Sequence, residues 1–288
     1  MQAFHTLWTR PYTMSHPNQP FTLTDFDLLC TVLSAMQWRK NNGSICLMTD
    51  SIGAQYFHSC GLDCLWDGGL DIALDAISDS IDPATFWAAG KLFALERQHA
   101  PCVMLDTDFI AWDNLSPLLS HADLTVIHRE ELNSAVYPDP AQFLFAENYR
   151  YPDGWDFSLP ACNTAFCAIT SEALRRSYCQ QSLAFIHAAY GHHPLHYMVF
   201  AEQRLLPMCA AQHGFSIQAL SDLPELFSDQ QTSFTHLWGY KQLLIQSPQE
   251  RHAFCLRCAQ RIMRDFPEAA AVCRQHSMLT GYFSIPYC

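Results

Sequence analysis

Residues 102–112 read Cys102-Val103-Met104-Leu105-Asp106-Thr107-Asp108-Phe109-Ile110-Ala111-Trp112. Four apolar residues run straight into two carboxylates separated by one threonine. A short run of this kind, apolar at every position, fits a parallel strand buried on both faces. Open α/β sheets bind ligands at the carboxyl ends of such strands. Hard oxygen ligands there suit Mg²⁺ or Mn²⁺, and these cations usually also hold substrate phosphates. Asp-x-Asp alone is common in solvated loops, so its meaning depends on the residues around it.

Upstream, helical and strand signals alternate. Phe4 to Trp8 reads as an opening strand stopped by Pro11, and Thr24 as a cap with Asp27 three residues on. Leu28, Leu29, Val32, Leu33 and Met36 then recur at helical spacing. Ile45 to Met48 is a strand, Ala54 to Cys60 a helix, and Leu62–Leu65 and Leu70–Leu74 are strand fragments about Gly68-Gly69. Asp82-Pro83 opens a helix whose buried stripe is Phe86, Ala89, Gly90 and Phe93. Downstream, the expectations are a short helix near Pro117, strands at Leu124–Ile127 and Asn163–Ile169, and helices from Ser171 to about Ala189 and from Val199 to His213. Residues 133–160 carry Pro, Asn and aromatics and form a long ordered loop. The order predicts an α/β fold with a mostly parallel sheet and helices on both faces.

A chain of 288 residues with 49% hydrophobic content buries a substantial core. No apolar stretch approaches a membrane span, and the first residues lack the pattern of a signal peptide. The expected location is cytoplasmic. Thirteen cysteines scattered through apolar segments read as reduced core thiols. A net charge of −12 argues against nonspecific nucleic-acid binding. Residues 241–288 nevertheless hold six Lys and Arg against three acids. That segment is a solvated helix face or pairs with the acidic body, with peripheral contact to the inner membrane face or to an anionic acceptor as the alternative.

A second cluster is Thr235-His236-Leu237-Trp238-Gly239-Tyr240-Lys241. His236 can ligate a metal, Gly239 permits close approach of backbone to a ligand, and Lys241 supplies an ammonium for phosphate. Two carboxylates and one imidazole leave positions on an octahedral cation for diphosphate oxygens.

With these residues quoted, the chain resembles the GT-A-type glycosyltransferases of the nucleotide-diphospho-sugar transferase superfamily. The nearest groups are the retaining glycogenin-like and galactosyltransferase-like ones, with the Asp-x-Asp mannosyltransferase-like enzymes. Phe4 to Arg10 resembles the opening strand that meets the nucleotide, and Thr85–Arg97 followed by Leu105-Asp106-Thr107-Asp108 the helix-strand-Asp-x-Asp arrangement. Asn163-Thr164-Ala165-Phe166 resembles the strand beside the acceptor, and His236-x-x-Gly239-x-Lys241 the family's His-x-x-Gly-x-x-Lys, one residue shorter before its Lys.

The resemblance implies a GT-A (Rossmann-like) domain over 1–245 and a small helical C-terminal extension over 246–288. It implies transfer of a sugar, with retention, from a nucleotide-diphosphate donor of UDP-sugar type to a glycan or lipid-linked acceptor. Asp106, Asp108 and His236 would hold Mn²⁺ or Mg²⁺. Thr6, Trp8, Arg10, Lys91, Asp106, Gly239 and Lys241 would face the donor, and Asn163, Thr164 and Gln203 the acceptor. Candidate catalytic carboxylates are Asp153, Asp156 and Glu202. The rival readings are a metal-dependent phosphohydrolase or nucleotidyltransferase, a non-catalytic nucleotide-sugar-binding relative, and a zinc module built on Cys255 and Cys258, with Cys60 and Cys64 as further ligands.

Overall fold

A computed structural model describes residues 1–146, 148–191, 193–228 and 230–284. Eleven strands are β1 (Gln2–Leu7), β2 (Ile45–Thr49), β3 (Leu70–Asp71), β4 (Cys102–Leu105), β5 (Phe109–Ala111), β6 (Leu124–Val126), β7 (Arg129–Glu130), β8 (Ala161–Cys162), β9 (Phe166–Ile169), β10 (Ile217–Ala219) and β11 (Phe234–His236). Seven form the main sheet in the order β10-β6-β9-β4-β1-β2-β3. β1 runs parallel to β2 and to β4, β2 to β3, and β6 to β10. β9 alone is antiparallel, inserted between β4 and β6. The protein is a mixed α/β fold with a mainly parallel sheet flanked by helices, in line with the GT-A resemblance.

The central strands β2, β4 and β9 are buried at every residue. This is the both-faces burial that their unbroken apolar runs require. On one face lies the helix Asp25–Asn41, with Thr24 Oγ1 accepting from the Asp27 amide as a cap. On the other lie Ala89–Glu96, Glu172–Ala188 and Leu205–Gln212, whose apolar sides share a core with Phe4, Met104 and Cys167. β1 is flanked by β2 on one side and β4 on the other. The chain therefore reverses its direction of travel across the sheet there, and loops leaving the two strands part to form a crevice.

Several sequence expectations change. Leu62–Leu65 is a 3₁₀ turn over Asp63–Leu65, because Arg39 draws the Cys64 and Leu65 carbonyls away from any strand partner. Residues 82–87 are turns: Asp82 accepts from the Ala84 and Thr85 amides and the Thr85 hydroxyl, and the helix begins at Ala89. The strand expected from Asn163 starts at Phe166, since Asn163 Oδ1 accepts from the Ala165 amide and bends the chain. Val199–His213 is broken by a π-helical turn at Phe200–Arg204, where the Glu202 and Ala201 carbonyls accept from Tyr178 and Ser182. The short strands β10 and β11 carry too little pattern to be expected.

The described residues of 133–160 form a loop with one 3₁₀ turn at Pro140–Gln142. Phe143, Phe145 and Tyr151 pack on Phe185 or Phe200, so aromatic packing does the ordering that secondary structure does elsewhere. The helix Pro248–Asp265 packs on Asp25–Asn41, and Arg251 and Tyr282 both bind Asp25, at 2.6 Å each. Positions 285–288, the end of the expected C-terminal extension, lie outside the described residues.

All the described cysteines are free thiols, and only Cys60 and Cys64 are not buried. Cys255 and Cys258 point into the core from Pro248–Asp265. The zinc-module reading falls here, because among the described residues no set of three metal-ligating side chains forms around them. No described helix is long and apolar enough to cross a membrane.

Candidate metal and donor site

β4 ends at Leu105, and the next residues turn back at once: the Phe109 amide donates to the Asp106 carbonyl. The turn holds Asp106 and Asp108 at the carboxyl edge of the sheet and leads into β5. β5 then pairs antiparallel with β11, with Phe109 opposite His236, Ile110 opposite Thr235 and Ala111 opposite Phe234. The pairing carries His236 across from the residue that follows Asp108. One ligand atom from each of Asp106, Asp108 and His236 lies within 4.8 Å of the others.

The turn is braced from behind. Trp66 Nε1 donates to His5 Nδ1 at 3.1 Å, and His5 Nε2 stands 2.9 Å from Ser34 Oγ. Ser34 Oγ in turn donates to the Phe109 carbonyl. Indole N–H is a donor only, so His5 Nδ1 carries a lone pair and Nε2 carries the hydrogen. The ring is neutral, and burial pushes its pKa down to about 3 against the small opposing pull of Asp106. A buried polar chain thus runs from β1 through the helix Asp25–Asn41 to the first residue of β5.

Two lysines balance the carboxylates. Lys91, from the helix Ala89–Glu96, places Nζ 2.7 Å from Asp106 Oδ1 and also against Glu202 Oε1. Lys241 Nζ stands 3.1 Å from Asp108 Oδ2 and 3.7 Å from Asp27 Oδ1. Burial disfavours each ammonium, but the facing carboxylates outweigh it and hold both pKa values above the ordinary lysine value. Burial likewise works against the Asp106 charge, and Lys91 with His236 overcomes it, so its pKa is depressed. His236 is pushed down by burial against the pull of Asp108 and Asp106. Its imidazole is therefore available in the neutral form that ligates metals.

These groups line a cavity of about 380 Å³. Thr6, Leu7 and Trp8 form the wall from the end of β1, and Asn163 and Ala165 the wall from the bend before β9. Trp87 and Trp238, 48% and 43% exposed, stand at the rim. Thr6 Oγ1 is buried without a hydrogen-bond partner. Gly90 lets Trp8 approach: a Cβ on residue 90 would stand 2.7 Å from Trp8 Cβ.

The residues singled out in the sequence fall in two sets. Thr6, Trp8, Lys91, Asp106, Asp108, Asn163, Glu202, His236 and Lys241 meet at the cavity. Thr164 stands directly behind, its hydroxyl donating to Glu202 Oε1 at 2.6 Å. The others lie elsewhere. Arg10 donates to the Ile77 and Ser78 carbonyls and pairs with Asp79 at 3.2 Å. Asp153 is exposed in the 133–160 loop, and Asp156 accepts from the Ser158 amide and hydroxyl. Gln203 accepts from the Tyr137 hydroxyl, and Gly239 lines a neighbouring cavity. Trp87 and Trp238 were not foreseen as wall residues. Exposed tryptophan at a cavity rim has no sequence pattern.

No curated protein matches the chain. Among solved structures, mouse xyloside xylosyltransferase 1 aligns over 77% of this chain and 85% of its own, at 12% identity and a TM-score of 0.39. The PaToxG glycosyltransferase aligns over 80% and 72%, at 9% identity and 0.40. The galactosyltransferase LgtC, solved with donor and acceptor sugar analogues, aligns over 70% of each chain at 12% identity and 0.36. These are partial likenesses. A protein-family model described as "Family of unknown function (DUF6734)" matches residues 1–274, and the chain belongs to that family.

Proposed function

We propose that the protein is a metal-dependent glycosyltransferase that takes a sugar from a nucleotide-diphosphate donor, of UDP-sugar type, and passes it to a glycan or lipid-linked acceptor with retention. The observation that carries this reading is the convergence of Asp106, Asp108 and His236 within 4.8 Å at the mouth of a cavity that also holds two lysines and three tryptophans. Two carboxylates and a neutral imidazole fit Mn²⁺ or Mg²⁺. Each aspartate is held by a lysine, Asp106 through Oδ1 and Asp108 through Oδ2, and Asp108 Oδ2 also stands 3.8 Å from His236 Nε2. A bound cation supplies Lewis-acid neutralisation of the diphosphate leaving group.

The chain's own residues do the rest. Lys241 sits beside Asp108 within reach of the same diphosphate and adds fixed positive charge where negative charge grows. Lys91 faces Asp106 and Glu202, fixes both in orientation and helps hold the Asp106 pKa down against burial. Trp8, Trp87 and Trp238, all on the cavity wall, offer faces for the base and sugar of the donor. Of the three candidate carboxylates, Glu202 is the one on the cavity wall. Its Oε1 is held by Lys91 and by the Thr164 hydroxyl, so it is not free to swing as a mobile base. A reaction with retention is consistent with that restraint.

Thermal melting with UDP, GDP, CDP and their sugars, each with Mn²⁺, Mg²⁺ or EDTA, tests the reading. A ligand at 100 times its dissociation constant stabilises the fold by about 2.7 kcal/mol. The expected result is a metal-dependent shift with one nucleotide that disappears in Asp108→Ala. No shift with any nucleotide overturns the reading.

A further inference from the structure

Asp27 reads in the sequence as the partner of a helix cap, and the structure gives it a second contact. Lys241 Nζ stands 3.1 Å from Asp108 Oδ2 and 3.7 Å from Asp27 Oδ1. Asp108 belongs to the candidate metal and donor site, whereas Asp27 stands outside the wall of that cavity. Lys241 lies in the first turn of the helix Tyr240–Gln246. The positive end of a helix disfavours a cation, so the two carboxylates and not the helix hold the ammonium there.

Asp27 is fixed from its other side. Its Oδ2 accepts from the Thr24 hydroxyl at 2.6 Å, and Thr24 Oγ1 accepts from the Asp27 amide at 3.2 Å. The Asp27 carbonyl accepts from the Thr31 hydroxyl at 2.8 Å. One carboxylate oxygen therefore serves the cap, and the other faces Lys241. At Asp108 the lysine has a competitor. Asp108 Oδ2 faces Lys241 and also stands 3.8 Å from His236 Nε2, so ammonium and imidazole meet at one oxygen. A divalent cation and the ammonium repel each other at so short a range. A lysine ammonium is a point charge on a flexible stem and can shift between neighbouring carboxylates.

We propose that Asp27 is a positioning residue for Lys241: when Asp108 is given over to a divalent cation, Asp27 keeps the ammonium partnered and beside the site of the diphosphate. Without the Asp27 charge, Asp108 is the carboxylate left paired to Lys241, and lysine and cation contend for one group. The inference rests on the metal-dependent reading of the site. It assigns to the cap of the helix Asp25–Asn41 a part in holding that site ready for its cation.

The test is titration of the full chain with Mn²⁺ alone, without nucleotide, following the free ion by electron paramagnetic resonance. Wild type is compared with Asp27→Asn, Lys241→Met and the double variant. Asn keeps an oxygen for the Thr24 hydroxyl and loses only the charge, and a urea titration checks that the fold survives. Asp27→Asn is expected to weaken Mn²⁺ binding about tenfold, within the range of coupling between contacting residues. Lys241→Met, which removes the competing ammonium, should tighten it about threefold or more, by the same coupling. In the Lys241→Met background, Asp27→Asn should change the affinity by no more than about twofold, the ordinary scatter of independent sites. A helix-capping role alone would not depend on Lys241. Equal weakening by Asp27→Asn with and without the lysine, no weakening in either, or looser Mn²⁺ binding in Lys241→Met overturns the proposal alone. No Mn²⁺ binding to the wild type overturns it together with the metal-dependent reading.

Discussion

Lys91 sets its ammonium 2.7 Å from Asp106 Oδ1 and against Glu202, so one cation with a 12% exposed side chain answers two carboxylates. Removing it leaves both acids facing each other in a site with little water to screen them. Lys91→Met is expected to cost about 3 kcal/mol, the low end for breaking a buried pair because the Asp106 side chain is 30% exposed. Adding Glu202→Gln should recover part of the loss. Urea titrations of the two variants measure both effects. Unchanged stability in Lys91→Met would mean that the lysine serves a ligand and not the fold.

Gly90 meets Trp8 with no room for a side chain. Gly90→Ala puts a methyl against the Trp8 Cβ and near Leu74, and overpacking of this kind costs about 1–3 kcal/mol. Trp8 is expected to shift into the 380 Å³ cavity it lines. Nucleotide binding should then weaken by more than the stability change accounts for. Melting curves and a nucleotide titration on the same preparation separate the two.

His5 links stability to pH. Its folded pKa is about 3, below the ordinary value of 6.5. As pH falls below 6.5 the unfolded chain takes up a proton that the folded chain refuses. Stability should therefore drop between pH 6.5 and 3, by a few kcal/mol from this residue. His5→Gln, which does not titrate, should flatten that part of the curve of unfolding free energy against pH. An equally steep curve in the variant would assign the loss to other groups.

Metal removal should act on binding before it acts on the fold. Lys91 and Lys241 already neutralise the two aspartates, so EDTA alone should lower the melting temperature little. In the assay that first detects sugar transfer, EDTA should abolish activity, and Asp108→Ala should reduce it by about 10²–10³. Asp153→Ala and Asp156→Ala, outside the cavity, should leave the rate within a factor of about two, by the small effect usual for surface changes. A large loss in either would require the 133–160 loop to close over the site.

The residues themselves determined the class of sheet and the place of the candidate site at its carboxyl edge. The four apolar residues before Asp106 admit few structures other than a strand buried on both faces, and the two aspartates after them mark its carboxyl end. The helix caps at Thr24 and Ser171 were equally local, because a side chain and an amide three residues apart settle them. What local pattern could not supply was partnership between distant segments. His236 stands with Asp108 only because β5 and β11 pair, and a three-residue strand has no periodicity to announce it. Lys91 meets Glu202 across 111 residues through a π-helical turn that breaks an otherwise unremarkable helix. Arg10 reads in sequence as a donor-binding cation, and only the tertiary structure brings it to the Ile77 and Ser78 carbonyls. Charge, hydrogen-bonding capacity and backbone preference belong to single residues and can be read in order. Which charges are left facing a cavity depends on the chain closing on itself, and tertiary packing alone decides that.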